Sequence, residues 1–586
     1  MRPADLALHP GPQPFRWLSS RLWRIEHAFE RARAAGKAED DTRLRMLIIL
    51  VIFGLGFLGL AGMATHAALY SNADRGVLAT EAVGDRADLV DRNGQLLAVD
   101  LPHFGLYFDP RENWDADEVR RDLTSQLPQL SPERLEKALT ADRRQYLLGG
   151  LTPDEKDRID DLGLPGVEFE PETKRVYPMG PTAAHLIGFV DKGGVGLAGA
   201  EHAMDKAVRD DPGGAPIALA VDLRVQAALQ DELQKAAGEF RAVGGVGIVT
   251  NVRTGEILGM ASYPSYDPNK LSEASANAMF NRVAAAHYEP GSVFKVFTLA
   301  MGLDSGVANL NTEFDARTPL TLDGRKGAIH DFDKDNKFLP LWEVFTHSSN
   351  IGAARLGILA GRERMDKYFR AFGLYDAAPS ELAESARPIL PKTRDDSTIA
   401  SMSFGQAISV SPLAIATGMG SILNGGEYVP LTIRKLAPAS IPAGRRVISE
   451  TTSRQMLDLM RRNAVEGTGR SADVQAPGYR LGGKTGTAQK AINGRYDPTK
   501  KVSSFAGVFP TDGPLKADRY FVLIMLDEPQ GNKQTGGWAT GAMVAAPAVG
   551  KVVERIAPYL GVARAPIGPA SAKVSLTPDQ LSGGER

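Results

Sequence analysis

The 586-residue chain contains no cysteine, which excludes disulfides, thiolate metal sites and a cysteine nucleophile. Its formal net charge of −2 provides no basic field of the kind that holds nucleic acid, so no nucleic-acid partner is expected. The nine histidines are scattered and no H-E-x-x-H occurs, so no metal is expected. No G-x-S-x-G elbow is present, which argues against a Ser-His-Asp hydrolase.

What is present begins with a run free of charge, Met46 to Ala64. Its nineteen residues at ~1.5 Å each make roughly 28 Å, close to the ~30 Å of a bilayer core. A cleaved leader has an apolar region of only about 7–15 residues behind a short basic start, so an uncleaved anchor is expected. Arg16, Arg21, Arg24, Arg31, Arg33, Arg43 and Arg45 crowd its N-terminal side, while Arg75 and Arg86 are sparse beyond it. That asymmetry predicts a cytoplasmic N-terminus and an external remainder. The expected organisation is a basic tail (1–45), a single transmembrane anchor (46–66), a non-catalytic pedestal (67–215), a catalytic domain (216–562) and a flexible tail (563–586).

In the pedestal, short strand-like pieces (Leu89 to Val90, Leu96 to Val99, Gly105 to Phe108) alternate with charged helical stretches, Pro132 to Leu139 and Pro153 to Leu162. In the catalytic segment, Val221 to Glu239 reads as a helix, followed by a hairpin around Arg253-Thr254-Gly255. Helical material from Val293 to Met419 precedes three more strands, Arg480 to Gln489, Ser503 to Phe509 and Tyr520 to Asp527, and a helix from Ala542 to Ile556. Strands from both ends with helices between them imply an α+β domain with one mostly antiparallel sheet, covered by helices on both faces.

Glu289-Pro290-Gly291-Ser292-Val293-Phe294-Lys295 joins a turn to an apolar helix. Ser292 falls in the first helical turn, where free N–H groups favour developing negative charge, and Lys295 rises one turn later on the same face. A serine beside a lysine in apolar surroundings is a nucleophile with a built-in base, because desolvation disfavours the charged amine. An isolated S-x-x-K is more often a capping serine and a snorkelling lysine. Two further segments in the required order change that weighting. Ser348-Ser349-Asn350 sits at a turn between two apolar stretches, and Lys484-Thr485-Gly486-Thr487 offers a cation, two hydroxyls and flanking glycines for a close backbone approach.

Gly478 to Thr485 also fits the P-loop pattern, Phe521 to Glu528 resembles an apolar strand with an acidic end, and Leu581 to Glu585 resembles a transporter ATPase signature. ATP hydrolysis is set aside. The residues before Gly478 are polar and Pro-containing rather than an apolar strand, Gly486 follows Thr485 where a helix would have to start, and the last signature comes after the acidic strand.

The ordered set S-x-x-K, S-x-N and K-T-G resembles the penicillin-recognising serine transpeptidases. The chain most resembles class B penicillin-binding proteins of the division-specific FtsI-like type, over about residues 40 to 560. Ala87 to Gly94, Arg175 to Pro178, Gly196 to Glu201, Tyr288 to Gly291 and Ser403 to Gly405 carry the resemblance further. One departure is Ala87, where the family commonly has glycine. The glycosyltransferase motif of class A relatives is not found. The resemblance implies a D,D-transpeptidase acting on peptidoglycan peptide stems, inhibited by β-lactams, without cofactor, beside an FtsW-like glycan polymerase and other division proteins at the bacterial inner membrane, with its catalytic domain periplasmic. It implies Ser292 as nucleophile, Lys295 as base, Ser348 and Asn350 as relay and orienting groups, and Lys484, Thr485, Gly486 and Thr487 as the substrate-binding strand. A D,D-carboxypeptidase, a β-lactamase and a non-enzymatic sensor are the alternatives on the same fold.

Overall fold

The computed structural model describes residues 86–566, apart from 212, 326, 333–336 and 493–494, together with 27, 34, 46, 49–61 and 63. The chain falls into two compact units, Met1–Ala82 and Val83–Arg586. In the first, residues 49–61 form one exposed helix. Among the described residues no helix is long and apolar enough to cross a membrane. The rest of the expected anchor, nearly all of the basic tail and the end of the chain lie outside the described residues.

The second unit contains the expected α+β architecture. Its main sheet runs Gly482–Ile492, Arg495–Phe509, Tyr520–Asp527, Gly244–Asn251, Ile257–Tyr263, every neighbour antiparallel. The strand Tyr520–Asp527 is nearly all apolar because it is covered on both sides, and alternate residues go to opposite faces. Leu523 and Met525 join the core under the helical middle of the chain, while Val522, Ile524 and Leu526 join a second core. That second core is built with the helices Leu223–Glu239 and Gly541–Ile556. Complete burial of each such side chain contributes about 1.5–3 kcal/mol.

The segment expected as a pedestal centres on the strand Leu96–Phe108, paired antiparallel with Val167–Val176 and Gln145–Leu151. Two separate pieces were expected, but the pairing carries the strand through Pro102, whose register partner is Thr173. Proline donates no hydrogen bond and breaks the apolar pattern, so the continuity is visible only once the partner is present. The segment Val167–Val176 alternates only over Val167-Glu168-Phe169-Glu170 before Pro171 and a charged remainder interrupt the pattern, and it was not expected as a strand. The helix Pro132–Leu139 starts on a Ser131 cap, and Pro153–Asp160 starts on a Thr152–Glu155 capping box.

Three of the segments that carried the resemblance converge on a buried ion network. Glu201 is fully buried; its Oε2 accepts from Arg86 Nη2 at 2.6 Å and its Oε1 from Arg175 Nε at 2.7 Å. Arg86 also donates to Asp205 Oδ1 (2.5 Å) and the Gly194 carbonyl, and Arg175 to Asp100 Oδ1 (3.1 Å) and the Ala87 carbonyl. Asp91-Arg92-Asn93-Gly94 closes as a turn in which Asp91 Oδ1 accepts from the N–H groups of Asn93 and Gln95.

Candidate active site

Gly291 begins a single 3-10 turn, Gly291–Phe294, which continues as the helix Lys295–Asp304. Every side of that helix is buried from Lys295 to Gly302, which accounts for a sequence that is apolar apart from Lys295 and Thr298. Gly291 has φ +54°, and its N–H donates to the Gly405 carbonyl at 3.1 Å. A Cβ on Gly405 would lie 2.2 Å from the Gly291 oxygen, so the Ser403-Phe404-Gly405 segment serves to brace the turn that carries Ser292.

Lys295 is fully buried, and its Nζ donates to Ser348 Oγ (3.1 Å) and to the Ser348 carbonyl. Ser348 occupies the corner between the helices Leu341–Thr346 and Asn350–Ala371 with φ +60°, a strained conformation for a residue with a side chain. Lys484, also fully buried, donates from Nζ to the same Ser348 Oγ at 2.9 Å. One hydroxyl therefore bridges two amines that arrive from a helix and from a strand. Lys484 lies inside the strand Gly482–Ile492 with no helix beginning there, which removes the P-loop reading.

The other expected residues surround this centre. Asn350 Nδ2 donates to the His330 carbonyl (3.1 Å), and Asp331 Oδ1 accepts from the N–H groups of Asn350 (2.5 Å) and Ile351 (2.9 Å). Ser349 Oγ donates to Asp331 Oδ2 at 2.5 Å. Asp331 thus neutralises the positive end of the Asn350–Ala371 helix and fixes the corner that carries Ser348. Thr485 is buried and bonds Thr468 Oγ1 at 2.8 Å, while Thr487 Oγ1 accepts from the Gly541 N–H at 3.0 Å. Asn463 Nδ2 donates to the Gly483 carbonyl at 2.8 Å, tying the helix Glu450–Glu466 to the strand.

The glycines of this strand were expected to admit a substrate, but they face protein instead. A Cβ on Gly483 would meet the Phe505 ring at 2.3 Å. On Gly486 it would meet Ser504 Oγ at 2.4 Å, Val293 Cγ2 at 2.9 Å and the Pro290 oxygen at 3.0 Å. Gly486 is what allows the Ser292 turn to lie against the Lys484 strand. Gly486→Ala is therefore expected to cost about 1–3 kcal/mol through overpacking and to slow acylation by a β-lactam. Thermal melting alongside stopped-flow acylation checks this, and an unchanged acylation rate would show that the close approach is irrelevant.

Asp331, Thr468 and Asn463 were not singled out from the sequence, and Glu289 was named within the motif without a role of its own. Asp331, Thr468 and Asn463 act through partners remote in the chain. Glu289 does lie beside Ser292, but nothing local marks its carboxyl as partly buried, with Oε2 shielded from solvent. Burial pushes its carboxyl up to about 7, against hydrogen bonds from Tyr496 and the Ala407 N–H that favour the charged form.

A serine one helical turn from a buried lysine, with a second hydroxyl shared between that lysine and a strand lysine, defines a serine acyl-transfer site on an antiparallel sheet. The family model for the penicillin-binding protein transpeptidase domain matches residues 245–550, and that for the penicillin-binding protein dimerisation domain matches 81–234. The chain is 56% identical over 559 residues to the probable peptidoglycan D,D-transpeptidase FtsI of Caulobacter vibrioides, covering 94% of each chain. It is 30% identical to the peptidoglycan D,D-transpeptidase FtsI of Escherichia coli, covering 86% of this chain and 89% of the other. Among solved structures it resembles penicillin-binding protein 3 of Mycobacterium tuberculosis complexed with aztreonam, with TM-score 0.63 and 25% identity over 83% of this chain and 97% of that one. The chain belongs to the FtsI-like class B penicillin-binding proteins.

Proposed function

We infer that this chain is a serine-type peptidoglycan D,D-transpeptidase that cross-links peptide stems during septal wall synthesis and is acylated by β-lactams. The observation that carries the chemistry is Ser348 Oγ held between Lys295 Nζ and Lys484 Nζ, with Ser292 one turn from Lys295. Ser292 Oγ attacks the carbonyl of the penultimate D-alanine while Lys295 takes its proton, a contribution of roughly 10²–10⁴ in rate. The carbon–nitrogen bond breaks, and the proton passes through Ser348 to the departing D-alanine amine. Backbone N–H groups of Ser292 and Thr487 hold the oxyanion, each worth about 10²–10³. Lys484, Thr485 and Thr487 take the stem's terminal carboxylate, Thr485 being braced by Thr468, and Gly486 keeps that strand close to Ser292. Asn350 orients the substrate amide. An amine from a neighbouring stem then attacks the acyl-enzyme, and its proton returns to Ser292 as the ester bond breaks.

The reading includes a single membrane anchor at 46–66 with the N-terminus cytoplasmic, a pedestal at 67–215 and a periplasmic catalytic domain at 216–562. The uncharged run from Met46 to Ala64 with arginines on one side supports it. An FtsW-like glycan polymerase is the expected neighbour, and depletion of the protein is expected to leave filamentous rather than round cells. The enzymatic test supplies a stem ending in D-Ala-D-Ala together with an amine acceptor. Release of D-alanine matched by new amide supports transpeptidation, whereas release with no amide would assign the chain to carboxypeptidases.

A further inference from the structure

Glu289, three residues before Ser292, is where three segments meet. Its Oε1 accepts from the Tyr496 hydroxyl (3.0 Å) and from the Ala407 N–H (3.0 Å), while its Oε2 is buried without a hydrogen-bond partner. Tyr496 stands opposite Ala491 near the outer end of the hairpin whose inner part carries Lys484 and Thr487. Ala407 adopts φ +61°, two residues past Gly405, the residue against which the Ser292 turn is braced. One carboxyl group thus ties the nucleophile turn to the distal hairpin and to the bracing loop.

We propose that Glu289 is a positioning residue for acyl transfer, latching the outer end of the Gly482–Phe509 hairpin to the Ser292 turn through Tyr496, with the latch governed by protonation of the Glu289 carboxyl. The inference rests on Ser292 being the acylated serine. Burial raises the Glu289 carboxyl from its ordinary 4.5 to about 7. The native arrangement therefore favours the protonated group, and that advantage, full below about 4.5, is lost as pH rises through 7. Above 7 the carboxylate stays inside because two donors hold Oε1, and hydrogen bonds to a charged acceptor are the stronger kind. The Tyr496 hydroxyl consequently matters most at alkaline pH. A cavity of about 510 Å³ beside Glu289 leaves room for the group to swing away when that donor is lost.

The other charged and titratable groups around it are accounted for. Arg282, His287, Tyr288, Lys490 and Asp527 line the same cavity, and Arg325 acts on Tyr496. Lys490 is paired with Asp527 and Glu528, Arg282 donates to the Asn277 carbonyl, His287 bonds the Arg387 carbonyl and Arg325 donates to Ser401 Oγ. None of them forms the hydrogen bonds at Oε1 that Tyr496 and Ala407 supply.

The test measures the second-order rate constant for acylation of the full chain in detergent by a fluorescent penicillin, between about pH 5.5 and 8.5. The ratio of Tyr496→Phe to wild type is expected near one at the acid end and to fall about tenfold at the alkaline end. In a Glu289→Gln background, where the acceptor is neutral throughout, the same tyrosine substitution is expected to have an effect that does not vary with pH. A ratio that is flat in the wild-type background, at any level, overturns the proposal, as does pH dependence that survives Glu289→Gln. Should Tyr496→Phe fail to fold, Glu289→Gln alone decides, by trypsin cleavage within residues 489–501. The wild-type change across pH 7 is expected to vanish in the variant, and its persistence overturns the latch. Failure of the wild type to label at any pH would instead strike the assignment of Ser292 itself.

Discussion

Ser292→Ala abolishes covalent labelling by fluorescent penicillin while the chain keeps its fold. In the proposed mechanism the hydroxyl is the atom that forms the ester, so its loss is expected to remove the reaction rather than slow it. The surrounding structure has little to lose. Ser292 is partly exposed in a short 3-10 turn held by Gly291, Gly405 and Gly486, and the helix that follows is packed through Val293, Phe294, Val296 and Phe297. Melting temperature is expected to stay close to wild type, and noncovalent β-lactam binding near Lys484 to remain measurable. Labelled protein recovered from Ser292→Ala after denaturation, at wild-type stoichiometry, would place the nucleophile elsewhere and sink the mechanism.

Glu201→Ala has the second large effect, and it falls on stability. Glu201 accepts from two arginines whose side chains are 1% and 2% exposed, one on each carboxylate oxygen. Removing the carboxylate leaves two buried guanidiniums with only part of their compensation, from Asp205 and Asp100. Breaking such a network by deleting one partner costs about 3–5 kcal/mol. Denaturant unfolding followed by pedestal fluorescence reads this directly, and a loss below about 1 kcal/mol would mean that water replaces the carboxylate at little cost. Conversion of the network to matched apolar residues is expected to be milder than the single deletion, because no charge is then left unpaired.

Much of the site was legible before any coordinates because its parts are local. A serine and a lysine three residues apart, one in a 3-10 turn and the other at the start of the helix that continues it, share a face, and Lys484-Thr485-Gly486-Thr487 sits in a stretch that pairs as a strand. The central strands were legible from their apolar runs, and the turn at Ser348 from the helices on either side. The strand Val167–Val176 was not, because its charged residues gain their place only from pairing with Leu96–Phe108. Asp331 acts on a corner 19 residues away, and Tyr496 on a glutamate 207 residues away. No periodicity in the chain marks either relation.

Residue order alone determined which chemical groups this protein owns, the helix that pairs Ser292 with Lys295, and the class of sheet that receives Lys484, since each depends on neighbours within a turn or a strand. The tertiary structure decided that both lysines share the Ser348 hydroxyl, that Gly486 faces Val293 rather than a substrate, and that the partly buried Glu289 accepts a hydrogen bond from the exposed Tyr496. Those relations arise when distant segments close on one another, and closure is driven by burial of the whole core rather than by anything written beside the residues themselves.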